Sequence, residues 1–226
     1  YEIRPRDWSS DVCSSDLDQA RDLIRRAIFE GEIQPEERIT IERIAADFGI
    51  SRTPVREALK ALETDGIVRI HPHRGAVVQR FEAKELYDRY TVRALLEGFA
   101  AELACRNDAA AVARDLEANC AQLAKAMAGV RDRDLDAVRG LVELNSQFHD
   151  RILAASGSPT VSRLLETLRM PVAYRLYTWR DAGRRKVSLE FHRRIARAFR
   201  AGRPADVRRQ VEAHLLEARD FLVAGR

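Results

Sequence analysis

The stretch GISRTPVREALKALETDG, from Gly49 to Gly66, constrains the fold more than any other part of the chain. Val55, Ala58, Leu59 and Leu62 recur at three- and four-residue intervals, so one face of a helix is apolar. Ser51 stands where an N-cap belongs, and Pro54 falls in the first turn, where its missing N–H does no harm. Gly66 ends the helix. The opposite face carries Arg52, Thr53, Arg56 and Lys60. Arg52 and Arg56 therefore sit near the positive end of the helix dipole, where Asp and Glu are preferred, at a cost of roughly a few tenths of a kcal/mol. A bidentate pair between Arg and guanine gives about 1–3 kcal/mol of discrimination. A helix that enters the DNA major groove by its N-terminal end accounts for cations placed this way. A solvated face with ill-placed charge is the alternative.

The flanking sequence favours the groove. Ala20, Leu23, Ile24, Ala27 and Ile28 mark a first helix, broken at Gly31 and Pro35. Thr40 is a suitable N-cap for a short helix, IERIAADF, whose Ile41, Ile44, Ala45 and Phe48 face inward, and Gly49 closes it as a C′ residue would. After Gly66, IVRI and AVVQRF alternate like strands, joined by HPHRG. Residues 18–80 thus read as a winged helix-turn-helix. Their charge is balanced, so any affinity for nucleic acid must come from a local patch. Ser51 to Arg80 supplies one, with Arg52, Arg56, Lys60, Arg69, Arg74 and Arg80 against Glu57, Glu63 and Asp65, and with His71 and His73 among them.

From residue 81 to 226 nothing alternates like a strand. About six amphipathic helices fit, near 83–106, 109–128, 134–156, 159–180, 183–201 and 204–224, with Pro171 expected to kink the fourth. The fold class is mainly α: an N-terminal winged helix-turn-helix followed by an antiparallel all-helical bundle. Only 11 Gly and 7 Pro among 226 residues argue against a sheet-rich fold. No apolar run approaches the roughly 20 residues of a membrane span. Cys13, Cys105 and Cys120 lack paired or metal-type spacing, which suits a reduced, cytoplasmic setting. Residues 1–17, YEIRPRDWSSDVCSSDL, show no period and no signal-peptide core. They read either as a non-native segment, since they resemble translated sequencing-adapter sequence, or as a disordered tail. Trp8 and Cys13 are assigned no role.

The bundle region holds three histidines, His149, His192 and His214, one on each of three expected helices. Asn145 precedes His149 by one turn on the same face. Phe191 and Ile195 flank His192, and Val211 and Leu215 flank His214, so these positions face inward. Three inward imidazoles and an amide oxygen can converge on a divalent transition metal such as zinc, nickel or manganese. Spacing alone leaves three hydrogen-bonded core histidines equally open.

GISRTPVREALKALETDGIV matches the recognition-helix signature of the GntR family of bacterial transcription regulators almost residue for residue, and HRGAVV resembles that family's wing. The resemblance implies that Ser51, Arg52, Thr53 and Arg56 contact DNA and that Arg74 and Gly75 reach the minor groove at the wing tip. Family members often place an Arg in the middle helix. Here that region reads Glu42-Arg43, which makes Arg43 a possible contact. YTVRALLEGFAAELA, FHDRIL and FHRRIARAF resemble the FCD ligand-binding domain of the FadR subfamily. In its metal-binding members a (D/N)xxxH pair and two later histidines hold the ion, and Asn145, His149, His192 and His214 match those positions. Arg93 matches an arginine used near the effector pocket, although it also fits a surface pair with Glu97 at i+4. Tyr174 and Arg175 are further pocket candidates. The resemblance implies a homodimer on a short palindromic operator of double-stranded DNA, a small organic acid as effector, and no membrane.

Two other readings use the same residues. A three-histidine site with an open position suits a metal-dependent hydrolase. Against it, no carboxylate is expected as a general base near His149, and Asp150 points off the Asn145–His149 face. In a metal sensor, the ion itself is the signal. The basic run from Arg163 to Arg209 reads as a solvated face or as a second DNA-facing surface.

Overall fold

A computed structural model describes residues 16–30, 32–33, 36–72, 74–79, 82–130, 134–170 and 172–224. Trp8, Cys13, Gly31, Pro35, His73, Arg80 and Pro171, with the kink expected there, lie outside the described residues. The chain divides into two compact units, Tyr1–Gln79 and Arg80–Arg226.

In the first unit, α1 (Asp16–Glu30) starts four residues before Ala20, where the helical period begins in the sequence, and buries Ala20, Ile24 and Ala27. Then follow β1 (Arg38–Ile39), α2 (Ile41–Phe48), α3 (Arg52–Thr64), β2 (Val68–His71) and β3 (Gly75–Val78). Thr40 caps α2 by accepting from the Arg43 N–H at 3.3 Å. Gly49 closes it in the left-handed region at φ 67°, with its N–H donating to the Ala45 carbonyl. Val55, Ala58, Leu59 and Leu62 of α3 are buried, as their spacing requires. Ser51 has the extended backbone of an N-cap, but its side chain makes no capping hydrogen bond.

The expected two-stranded wing is a three-stranded antiparallel sheet in the order β1-β3-β2. Two residues, Arg38 and Ile39, are too few to leave an alternating signal, yet they pair with Val77 and Ala76. Gly75 has φ +82°, and a Cβ there would lie 2.3 Å from the Ile39 carbonyl oxygen. Glycine is therefore required both by the left-handed backbone and by the close approach of β1.

The second unit is helical: α4 (Ala83–Met127), α5 (Leu135–Ser156), α6 (Pro159–Thr167), α7 (Val172–Arg180), α8 (Ala182–Arg200) and α9 (Pro204–Ala224). The first two expected helices meet where the sequence places a break, at Asp108 (φ −157°, ψ 76°), which bends α4 and whose carboxylate caps the next turn at Ala111 N. The fourth expected helix divides differently. The expected helix 159–180 is two, ending α6 at Thr167 and beginning α7 at Val172. Met170 precedes a proline, and the position before proline disfavours helical backbone. Asp134, Ser158 and Asp181 cap α5, α6 and α8 through their side chains. α4 packs against α5, α8 and α9. Gly98 lets Glu212 of α9 approach α4, because a Cβ there would meet Glu212 Cγ at 2.7 Å.

Candidate DNA-facing surface and histidine site

Helix α3 presents Ser51, Arg52, Thr53 and Arg56 to solvent. Among the described residues, neither Arg52 nor Arg56 has a hydrogen-bond or ion-pair partner. Lys60, one turn on, pairs with Glu57 at 2.9 Å. Arg43 is engaged with Glu37 and, at 3.3 Å, with Asp47. The hydrogen bond it donates to Glu37 is the main reason its guanidinium holds its proton more firmly than usual. Arg43 would have to leave both acids to reach DNA, unlike Arg52 and Arg56. At the wing, the Arg74 N–H donates to the His71 carbonyl at 3.0 Å and closes a turn. The Arg74 carbonyl accepts from Arg38 Nε, which leaves the exposed Arg74 side chain beyond a braced backbone.

In the helical unit, His149 of α5, His192 of α8 and His214 of α9 converge. Among the described residues they are the one group of His, Cys, Asp or Glu that could share an ion, with their ligand atoms all within 4.8 Å of one another. Ring centroids are 5.4 Å apart for His149 and His192, 5.3 Å for His149 and His214, and 5.0 Å for His192 and His214. His192 stacks on Phe148 at 3.8 Å. His192 is fully buried and His214 is 3% exposed. Burial, reinforced by neighbouring histidines and Arg184, pushes both imidazoles well below their usual range, so they are neutral. Both ring nitrogens of His192 and Nδ1 of His214 lack any hydrogen-bond partner.

That last observation tests whether the residues suit a metal. A core histidine normally satisfies its ring nitrogens, and a buried polar atom left unpaired costs about 1–3 kcal/mol. Here three such atoms lie in one cluster of imidazoles, the donor type suited to zinc and nickel. The donor set fits a divalent transition metal. Asn145 is half-buried one turn before His149 on α5.

The sequence expectation of no carboxylate near His149 is wrong. Glu97 of α4 places Oε2 at 2.9 Å from His149 Nδ1. Its Oε1 accepts from Arg93 Nη2 at 2.6 Å and Nε at 3.0 Å. Burial alone would raise the Glu97 carboxyl, but Arg93 and His149 outweigh it and hold it at about 2. The Arg93–Glu97 pair exists as its spacing suggests, yet it is not a surface pair: the two side chains are 17% and 12% exposed. The i,i+4 spacing was visible in the sequence. That α5 would set His149 against it was not.

Arg93, Glu97, His149 and Asp150 line a cavity of about 150 Å³, with Ala100, Leu153 and Leu165 as its apolar wall. Asp150 does face this cavity, and it pairs with Arg169 at 3.4 Å. Tyr174 and Arg175 stand outside the lining. Arg175 donates to Ser146 Oγ at 2.7 Å, and burial together with Arg169 and Arg93 weakens its hold on its proton. The basic run is largely spent on ion pairs, including Arg194 and Arg197 with Glu190, Arg200 with Glu117, and Arg208 with Glu102.

Comparison with known proteins agrees with both units. Residues 17–78 match the bacterial regulatory proteins of the gntR family, and residues 88–217 match the FCD domain. The Nta operon transcriptional regulator of Aminobacter aminovorans is 32% identical over 166 residues, covering 72% of this chain and 73% of that protein. The gluconate operon transcriptional repressor of Bacillus subtilis is 30% identical over 167 residues, covering 74% and 65%. Among solved structures, E. coli McbR/YncC aligns over 94% of this chain and 99% of its own, with TM-score 0.62 and 21% identity, a likeness of fold.

Proposed function

This chain belongs to the GntR family of DNA-binding transcription regulators, carries an FCD domain and is not an enzyme, and from that premise we propose that it is a metal-dependent, organic-acid-responsive repressor. The observation that carries the proposal is the cluster of His149, His192 and His214 with three buried ring nitrogens left unpartnered. Asn145 completes the donor set. A divalent ion held there supplies Lewis acidity toward a carboxylate oxygen. The residues do the rest. Arg93 gives the cavity a cation for an anionic ligand, and Ala100, Leu153 and Leu165 hold its carbon body away from water. The three neutral histidines and Asn145 bring no charge of their own to offset a dication, which favours an anionic effector. One relative is a repressor of a gluconate operon, and gluconate is a carboxylate.

Ser51, Arg52, Thr53 and Arg56 contact base edges and phosphates in the major groove, and Arg74 and Gly75 reach the minor groove beside it. Arg43 joins them only if it exchanges Glu37 and Asp47 for phosphate. The protein acts in the cytoplasm as a homodimer on a palindrome. Val92, Leu95 and Phe99 form an exposed apolar stripe on α4 that supports self-association. The effector binds the DNA-incompetent arrangement more tightly and so lowers operator affinity.

Selection from a random pool of duplex DNA, followed by binding titrations with zinc, nickel or manganese and a panel of small carboxylates, tests this. Enrichment of a palindrome, released by one acid only when metal is present, is the expected result. Release by metal alone would make the ion itself the signal. No enrichment at low salt would defeat the DNA reading.

A further inference from the structure

We propose that Glu97 is the positioning carboxylate of the histidine site, fixing His149 as the tautomer that carries its proton on Nδ1 and leaves Nε2 to ligate. The inference rests on the metal reading above and adds to it a residue that is no ligand. Glu97 Oε2 lies 2.9 Å from His149 Nδ1. An ionised carboxylate can only accept hydrogen bonds, so the proton between these atoms belongs to the imidazole. Arg93, bound through two nitrogens to Oε1 of the same carboxylate, keeps Glu97 ionised. One carboxylate thus serves two partners, one through each oxygen. A neutral imidazole with Nδ1 protonated has its lone pair on Nε2.

Among the described residues the other two rings lack this support. His192 has no hydrogen-bond partner at either nitrogen, and His214 has none at Nδ1. Nothing in hydrogen bonding selects a tautomer for His192, whereas His149 is committed. A carboxylate behind a ligating histidine orients the ring and strengthens it as a donor, and losing it typically weakens metal binding about 10- to 100-fold. A stabilising ion pair between Arg93 and Glu97 would not need His149 at all.

Two measurements on the full chain test the inference. Long-range ¹H–¹⁵N spectra of the metal-free protein should show His149 protonated at Nδ1, and Glu97→Ala should lose that preference. Zinc affinity, read by competition with a chromophoric chelator, should fall about 10- to 100-fold in Glu97→Ala. The loss should be smaller in Glu97→Gln, whose amide oxygen still accepts from His149. If Glu97→Ala does not fold with Arg93 unpaired, Glu97→Gln carries the test through its loss of zinc affinity. An Nε2-protonated His149 in the wild type, or variants that bind zinc as tightly as the wild type, would overturn it. A wild-type chain that takes up no zinc, nickel or manganese would defeat the metal reading and this inference with it. That failure is distinct, because in the other case the wild type binds.

Discussion

Helix α3 and the histidine cluster both leave polar groups without partners inside the protein, and the two cases mean different things. Arg52 and Arg56 stand in water, which satisfies a guanidinium at no cost, so their isolation alone says little. It gains meaning from position: they lie at a helix start, where the dipole disfavours them. His192 and His214 are buried in the helical unit. Their unpaired nitrogens carry a standing penalty in the metal-free chain. An exposed orphan permits a ligand, whereas a buried orphan calls for one.

Acid should separate the two regions most strongly. Unfolded imidazoles take up a proton near their ordinary pKa of about 6.5, whereas folded His192 and His214 resist until well below it. Below that pH the unfolded chain therefore binds more protons. Stability of the metal-free protein should fall as pH drops beneath about 6.5, by up to about 2.7 kcal/mol per pH unit for the two groups together. Glu97, held at about 2 in the fold against an ordinary value of 4.5, adds a further loss across that lower window. Urea unfolding at a series of pH values measures both. Saturating zinc should hold stability up until its ligands are protonated.

Arg52→Ala is the sharpest test of the exposed orphans. Operator affinity should drop by about 1–3 kcal/mol per half-site, with base preference lost at one position, while the unfolding midpoint stays unchanged. An equal loss on every sequence would reduce Arg52 to a phosphate contact.

His192→Leu tests the buried ones. In metal-free protein it should be neutral or stabilising within about 1–3 kcal/mol, because it removes a desolvated group that has no partner. The same change should abolish metal uptake. A marked loss of stability without metal would show that His192 is an ordinary core residue.

The smallest effects come from two helix starts. Thr40→Ala should cost about 1 kcal/mol, since its side chain caps α2. Ser51→Ala should stay within about 0.5 kcal/mol, since Ser51 makes no capping bond, yet it should weaken DNA binding. If both substitutions cost the same stability, Ser51 is a cap and is not reserved for DNA.

Much of this was legible in the residues. The period of Val55, Ala58, Leu59 and Leu62 located α3, and Thr40 and Gly49 marked the ends of α2, because caps and turns are local chemistry. The inward setting of His192 and His214 followed from their apolar neighbours. Other features were not legible. Strand β1 is two residues long and exists only because β3 lies beside it. Arg43 looked available for DNA, and its engagement with Glu37 depends on how the segment before α2 returns to it. The break between α6 and α7 carries a proline signal, but a proline at that place fits a kink as well as a break.

By itself the sequence determined which faces are apolar, where helices start and stop, and that the recognition helix carries its cations at the wrong end for the dipole. These are properties of residues within a few positions of one another. Only the tertiary structure decided that His149, His192 and His214, from three helices, meet with their ligand atoms within 4.8 Å. It alone set Glu97 of α4 against His149 of α5. Helix periodicity fixes which residues share a face. Which faces meet, and at what register, is settled by packing across the bundle, as where Gly98 admits Glu212.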